Sequence, residues 1–325
     1  MILNHQGRNY SKNEMFESSF NNSGGRFKTD KDIYKVKQEL KDSKGGCCLA
    51  VYIVTSERFN DREMALKCAK GSEQVEQMKR ESEMYKEIKV DKTSSIIEFL
   101  DFHLYTGPKG YDEDVAILVT ELARDGDLGN LLQKEGMIKN DQLYNFAHKM
   151  RNCLETLYNN GILHLDIKPQ NLFVEGNDLW LGDFGLAEKL RPNSNAKHIT
   201  NVRGTQRYMS PELLIDEKSC MSTFCSFFSD LWAFAICLHE LFYDELPLPL
   251  EDYERELTKY NSSQRRDKPD IKYYIKELVS RGIDRCMRNR NREANLDDLL
   301  NQIFKRQITT PEALEHHFFK TNYYI

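Results

Sequence analysis

Asp166, Lys168, Asn171 and Asp183 are the residues of this chain best suited to chemistry. The first three lie in His164-Leu165-Asp166-Ile167-Lys168-Pro169-Gln170-Asn171. Then come Leu172-Phe173-Val174, a turn at Glu175-Gly176-Asn177-Asp178, and Leu179-Trp180-Leu181, which is the pattern of a β-hairpin. A turn centred near Asn177 would set Asn171 and Asp183 opposite each other, bringing an amide oxygen and a carboxylate to one end. Hard oxygens placed together suit Mg²⁺, which takes one or two carboxylates and leaves its other positions to water and phosphate oxygens. Asp166 can accept a hydroxyl proton, and Lys168 can offset charge on a moving phosphoryl group. Without such a role, the same Asp and Asn residues would serve as turn formers and caps.

These residues need elements to hold them. Asn140-Asp141 can cap a helix whose apolar stripe is Leu143, Phe146, Ala147, Met150, Leu154 and Leu157, with Gly161 as its stop. Residues 230–243 are apolar nearly all round and predict a helix buried on all sides. Earlier, strand patterns cover 34–40, 47–54, 64–68, 96–102 and 115–120, the first three spaced as an antiparallel meander. Residues 72–88 predict a helix with Val75, Met78, Tyr85 and Ile88 on one stripe. Glu81 interrupts that stripe. It needs a partner, for which Lys67 on the preceding strand is the nearest candidate, unless it sits at the stripe's edge and reaches water. The chain thus reads as a sheet-rich first part and a helical second part divided near residue 122, and a cleft between two such lobes is a natural ligand site. Residues 1–30, rich in Asn, Ser, Lys and Gly, read as a flexible tail. Residues 251–295 are dense in charge and read as helices joined by solvated loops.

Composition narrows the classes. The 325 residues carry 46 Lys+Arg and 51 Asp+Glu, a formal charge of -5, which argues against a dedicated nucleic-acid binder. A 40% hydrophobic and 30% charged chain fits a globular protein with a sizeable core. No apolar run is long enough to cross a membrane, and no signal-peptide or lipidation pattern is visible at either end. The 8 cysteines contain no CxxC and read as reduced thiols, so a cytoplasmic or nuclear setting is expected, without nucleic-acid or membrane partners.

Taken in order, Met64-Ala65-Leu66-Lys67, Glu81, His164-Leu165-Asp166 with Lys168 and Asn171, Asp183-Phe184-Gly185 and Ser210-Pro211-Glu212 resemble the eukaryotic protein kinases. The loop Asp166-Ile167-Lys168-Pro169-Gln170-Asn171 and the run from Gly204-Thr205 to Glu212 are similar to the serine/threonine type. The resemblance covers about residues 31–320 and implies an α+β, bilobal fold: an N-lobe to about 122 with a small antiparallel sheet and one main helix, then a larger, mainly helical C-lobe. It implies transfer of the γ-phosphoryl group of ATP, with Mg²⁺, to Ser/Thr hydroxyls of a protein substrate. Lys67 would hold the α- and β-phosphates and pair with Glu81, while Asn171 and Asp183 would be the Mg²⁺ ligands. Asp166 would take the acceptor proton, and Thr205 would bond Asp166 and Lys168. Thr120 would be the gatekeeper, Glu121 to Ala123 the hinge, and Asp127 a neighbour of the ribose. Leu40, Gly46, Cys48, Ala65 and Phe173 complete the implied nucleotide contacts. Asp230, by itself an ordinary helix cap, would anchor the catalytic loop. Arg306, by itself a surface charge, would pair with Glu212. His164 would support Phe184 by packing.

The pattern is broken in two places. Aligned from Leu40, the glycine-rich loop reads Lys41, Ser43, Gly46 and Cys48, so only its third glycine is kept, which weakens the close approach of backbone to phosphates. Leu165 stands where many kinases carry the Arg that engages a phosphorylated activation-loop residue. Activity independent of loop phosphorylation, at Thr200 or Ser194, is therefore expected. Ala235 replaces a family glycine, a mild packing change. The alternatives are a pseudokinase acting as a scaffold or allosteric partner, which the lost glycines favour and the retained Lys67, Glu81, Asp166, Lys168, Asn171 and Asp183 disfavour, and a small-molecule kinase of related fold.

Overall fold

Alternating apolar and polar residues carry the first part of the chain into strands. The computed structural model describes residues 2–3, 9–10, 25–29, 31–40, 50–105, 114–135, 138, 140–199, 204–213, 223–243, 255 and 293–320. The chain divides into two compact units, residues 1–87 with 97–122, and residues 88–96 with 123–325.

In the first unit Ile2–Leu3 (β1) pairs antiparallel with Asn9–Tyr10 (β2). A 6-stranded sheet follows, built from Arg26–Lys28 (β3), Ile33–Leu40 (β4), Ala50–Thr55 (β5), Glu63–Lys70 (β6), Phe99–Tyr105 (β7) and Val115–Glu121 (β8). Its order is β3-β4-β5-β6-β8-β7, so the expected meander is present in β4, β5 and β6. Ser72–Glu87 (α1) lies between β6 and β7, with Val75, Met78 and Tyr85 buried as the stripe predicts and Glu81 buried among them. One sheet face builds the core from Tyr34, Tyr52, Val54, Met64, Leu66, Ile117 and Val119.

Two expectations are corrected here. The reading of residues 1–30 as a tail fails at 25–29: Phe27 is 6% exposed in the core, and Gly25 accepts a hydrogen bond from the Val36 amide at 2.8 Å. One apolar residue between two basic ones is too short a pattern to show a period. The fourth strand begins at Phe99, not Ile96, because Ile96 instead bridges Leu181 in the second unit. The glycine-rich loop positions Lys41, Ser43, Gly46 and Cys48, and nearly all of 251–295, lie outside the described residues.

A polar node is set into this apolar unit. Asp101 Oδ2 accepts from Tyr34 Oη at 2.9 Å and Arg58 Nη1 at 2.6 Å, and His103 Nε2 lies 3.1 Å away. Burial alone would raise the Asp101 carboxyl, but hydrogen bonds from Tyr34 and His103 outweigh it and hold it below its ordinary value. Burial, then the Asp101 carboxylate, push the Tyr34 hydroxyl well up, so it remains a donor. A carboxyl depressed in the folded state stabilises above its unfolded pKa, and this contribution is lost as pH falls through the folded value. Asp101→Asn is expected to lower stability by about 2 kcal/mol near neutral pH, in the range of hydrogen bonds to a charged group. Urea unfolding at successive pH values checks this: the gap between wild type and variant closes below about pH 4.

The second unit holds Leu128–Glu135 (α2), Asn140–Asn160 (α3), Ile162–Leu163 (β9), Leu172–Glu175 (β10), Asp178–Leu181 (β11), Glu188–Lys189 (β12), Ala196–Ile199 (β13), Thr223–Ser226 (β14), Phe227–Tyr243 (α4), Ala294–Phe304 (α5) and Thr310–Leu314 (α6). Gly161 ends α3 at φ 64°, the left-handed stop its position predicts. Ser226 caps α4, its Oγ accepting from the Phe228 amide at 3.3 Å while Ser229 Oγ accepts from Ser226 N at 3.2 Å. From Ser229 to His239 every residue of α4 is buried, as its all-round apolar sequence demands.

Candidate active site

In the first unit, sheet register decides which side chains share a face. Leu40 pairs with Val51, Val51 with Lys67, and Lys67 with Leu118, forming one row across β4, β5, β6 and β8. Two residues along β6, Ala65 pairs with Thr120 on the same face, and Met64 pairs with Glu121. The face is opposite the core cluster, which takes Met64, Leu66 and Cys68. Lys67 Nζ donates to Glu81 Oε1 at 2.9 Å, and Glu81 is only 1% exposed. The predicted partnership is present, and the alternative of a water-exposed Glu81 is not.

In the second unit the catalytic-loop residues close on Asp166. Its Oδ2 accepts from Lys168 Nζ at 2.7 Å and Asn171 Nδ2 at 3.1 Å. Its Oδ1 accepts from both the amide and the hydroxyl of Thr205, at 3.0 and 2.8 Å. Lys168 also donates to Thr205 Oγ1 at 2.8 Å. Four donors, one of them an ammonium group, fix this carboxylate in place. Gly204, at φ 136°, lets the activation segment come this close: a Cβ there would lie 2.9 Å from the Leu165 carbonyl oxygen.

The hairpin is formed, but one residue out of the predicted register. Leu172 pairs with Leu181 around a turn at Gly176-Asn177, so Asn171 stands opposite Gly182, whose amide donates to the Asn171 carbonyl at 3.0 Å. Asp183 lies one position further, at φ 63°. Asn171 is 4% exposed, with its Nδ2 committed to Asp166, which leaves its amide oxygen as the acceptor it can offer a cation. One amide oxygen and one carboxylate are a donor set that fits Mg²⁺.

His164 is fully buried and stacks edge-on against Phe184 with centroids 4.9 Å apart. Its Nδ1 accepts from the Asp166 amide at 3.3 Å, and its Nε2 lies 3.1 Å from the Gly182 carbonyl oxygen, which assigns the proton to Nε2. Burial, opposed by the Asp166 carboxylate, holds its pKa below the ordinary value, so the ring is neutral. The packing role expected of His164 is the one observed.

Asp127 spends its carboxylate on α2: Oδ1 accepts from the Asn130 amide at 2.9 Å and Oδ2 from Asn130 Nδ2 at 2.5 Å. Phe173 bridges Asp127 from β10, and Ala123 is buried nearby in the chain. Arg306 pairs with Glu212, as the resemblance implied, and its guanidinium lies 4.3 Å from the Phe228 ring centre. The sequence reading did not find Tyr208, whose hydroxyl donates to Glu240 at 2.7 Å, nor the Lys197–Glu188 pair at 2.6 Å. An aromatic and two ordinary charges carry no local pattern that names a partner.

Asp230 is 1% exposed and accepts from the amides of His164 at 2.7 Å and Leu165 at 2.8 Å. Burial pushes its carboxyl up to about 7 against the pull of those two donors. Leu165 sits at φ 64°, a conformation that costs about 1–3 kcal/mol and persists only when its surroundings over-determine it. Asp230→Ala removes that restraint and leaves two amides without their acceptor, an expected loss of roughly 2–5 kcal/mol. Thermal unfolding measures the loss, and turnover falls with it because Asp166 follows Leu165 in the chain.

The family described as "Protein kinase domain" matches residues 43–319. Similar curated proteins are serine/threonine-protein kinase PKH2 of Saccharomyces cerevisiae, 29% identical over 64% of this chain and 18% of its own length, and serine/threonine-protein kinase RUNKEL of Arabidopsis thaliana, 34% identical over 45% of this chain and 10% of its own. Serine/threonine-protein kinase 36 of Mus musculus is 36% identical over 40% of this chain and 9% of its own length. The chain therefore spans under a fifth of the length of each of these relatives. With an ion-paired strand lysine in one unit, an Asp-centred loop in the other and a match across both, the chain belongs to the protein kinase domain family.

Proposed function

We propose that this protein is a serine/threonine kinase that transfers the γ-phosphoryl group of ATP to hydroxyls of protein substrates. The observation that carries the reading is the closed set around Asp166, in which Lys168, Asn171 and Thr205 all donate to one carboxylate. In the proposed reaction the acceptor oxygen bonds to the γ-phosphorus, the bond from that phosphorus to the β–γ bridging oxygen breaks, ADP leaves, and Asp166 accepts the hydroxyl proton. Lys168 offsets charge on the moving phosphoryl group, and Thr205 keeps Lys168 and Asp166 in register. Lys67, oriented by Glu81, holds the α- and β-phosphates. Asn171 and Asp183 would hold Mg²⁺, which supplies charge neutralisation between the β- and γ-phosphates when bound. Leu40, Ala65, Thr120, Glu121, Ala123 and Phe173 are the proposed adenine contacts, and Asp127, while capping α2, the ribose neighbour. Gly46 and Cys48 complete the proposed set from the sequence alone. A cytoplasmic or nuclear protein substrate fits this reading, and no described helix is long and apolar enough to cross a membrane.

The test is γ-phosphate transfer from Mg-ATP to generic protein substrates, beside an Asp183→Ala control. Transfer by wild type and none by the control is expected. No transfer together with no ATP-dependent thermal shift would overturn the reading.

A further inference from the structure

Leu165 removes the usual cation that a loop phosphate would meet, yet the activation segment is held firmly where it is described. Its start is tied down by β12 pairing with β9 and by the Leu190 amide, which donates to the Gly161 carbonyl at 2.9 Å. Its middle, β13, pairs along its whole length with β14, from Ala196 opposite Ser226 to Ile199 opposite Thr223. Lys197 Nζ donates to Glu188 Oε2 at 2.6 Å and to the Lys189 carbonyl at 3.3 Å, closing β13 onto β12. Cys225, fully buried, donates its thiol to the Lys197 carbonyl at 3.3 Å. Burial pushes that thiol up to about 11, so it keeps the proton it donates. The ring of His198 meets that of Phe224 edge-on at 5.1 Å.

What makes this more than a local hairpin is the next stretch of chain. β14 runs directly into α4, whose first turn carries Asp230, and Asp230 holds the amides of His164 and Leu165. The single stretch from Thr223 to Asp230 therefore grips the activation segment by main-chain pairing and the catalytic loop by a carboxylate. The polarity is also the reverse of a phosphate clasp: the cation, Lys197, is on the loop, and the anion, Glu188, is on β12. A phosphate added beside Lys197 would compete with Glu188 for its ammonium group.

We infer that β13, clasped by Lys197 to β12 and by its ladder to β14, positions Thr205 and Asp166 for phosphoryl transfer in place of a phosphorylated loop residue. This rests on the kinase reading above. Lys197 is a positioning residue, because its side chain is spent on Glu188 and the Lys189 carbonyl and not on Asp166. The Lys197–Glu188 pair is over a third exposed and by itself stabilises little, so the main-chain ladder carries most of the hold.

The experiment has two arms on the full chain. In the first, wild type is treated with a phosphatase, shown by intact mass to carry no phosphate, and assayed with Mg-ATP. Turnover is expected to persist. Lys197→Pro, which removes an amide donor and the side-chain clasp together, is expected to lower kcat roughly tenfold or more with KM for ATP unchanged, since small misplacements of reacting groups have effects of that size. Lys197→Arg keeps turnover, and Lys197→Glu combined with Glu188→Lys recovers more than either change alone. Loss of turnover on phosphatase treatment, or wild-type kcat in Lys197→Pro, overturns the inference. In the second arm, amide hydrogen exchange is followed at 196–199, 223–226 and 164–166. Protection at all three in unphosphorylated wild type, lost together in Lys197→Pro, upholds the clasp. Unchanged protection at 164–166 in the variant overturns it. Should Lys197→Pro fail to fold, Ile199→Pro, at the last rung of the same ladder opposite Thr223, read by the same exchange decides. A wild type that transfers nothing fails the kinase reading, and the exchange arm then decides the clasp by itself.

Discussion

Asp166→Asn lowers kcat by roughly 10²–10⁴-fold, the usual worth of a positioned acid–base group. The substitution keeps shape and volume but replaces one carboxylate oxygen by an NH₂ donor. Either orientation fails: the new donor faces Lys168 and Asn171 on one side, or the amide and hydroxyl of Thr205 on the other. Donor facing donor breaks at least half of the set, and the remaining amide oxygen is far too weak a base to take a hydroxyl proton. Nucleotide-dependent thermal shift is expected to persist, since Lys67, Glu81 and Asp183 are untouched. Single-turnover transfer at saturating Mg-ATP separates the two effects. A kcat within a factor of about ten of wild type would remove Asp166 from the chemistry.

Lys67→Met lowers kcat/KM for ATP by roughly 10²–10³-fold, the range for loss of one preorganised electrostatic donor. It also has a stability consequence, which comes from Glu81. Glu81 is 1% exposed, and the cation 2.9 Å from it disappears. Breaking a buried ion pair from one side costs about 3 kcal/mol at the low end, the value chosen here because Lys67 keeps 17% exposure. Glu81→Gln in the same background should return part of that stability without returning activity, because it removes the buried charge but supplies no cation. Urea unfolding of the single and double variants reads the first effect, and transfer assays read the second. Equal stability of Lys67→Met and wild type would show that the pair contributes nothing to the fold.

Much of the site was legible because it is written in residue types set against a regular background. Glu81 stood out as a carboxylate on an apolar stripe, and the cost of burying it pointed to Lys67. The catalytic loop stood out as polar residues between a long amphipathic helix and a hairpin. The strands and helices that carry them were readable from periods of 2 and 3.6, which is why the α+β division survived. Where the pattern was short, it failed. Phe27 joins the sheet core from a three-residue strand that the surrounding polar composition concealed. Ile96 continued an apolar run but docks on β11, because apolarity says that a residue is buried and not against which partner. The hairpin's position was right and its register was out by one, since a turn of Gly176-Asn177 and one centred on Asn177 differ by a single residue.

The two carboxylates Asp127 and Asp230 mark the boundary between what each level decided. Asp230 read locally as a helix cap, yet it sits inside α4 and holds two amides more than 60 residues away in sequence. Asp127 carried an implied ribose role, and its carboxylate also caps α2. The sequence by itself determined which side chains can hold phosphate, accept a proton or bind a hard cation, because that chemistry belongs to the side chain. Only the tertiary structure decided which carboxylate restrains Leu165, and that β13 is clasped to β14. Those bonds are made to backbone N–H and C=O groups, which every residue but proline presents alike, so their partners leave no trace in residue type.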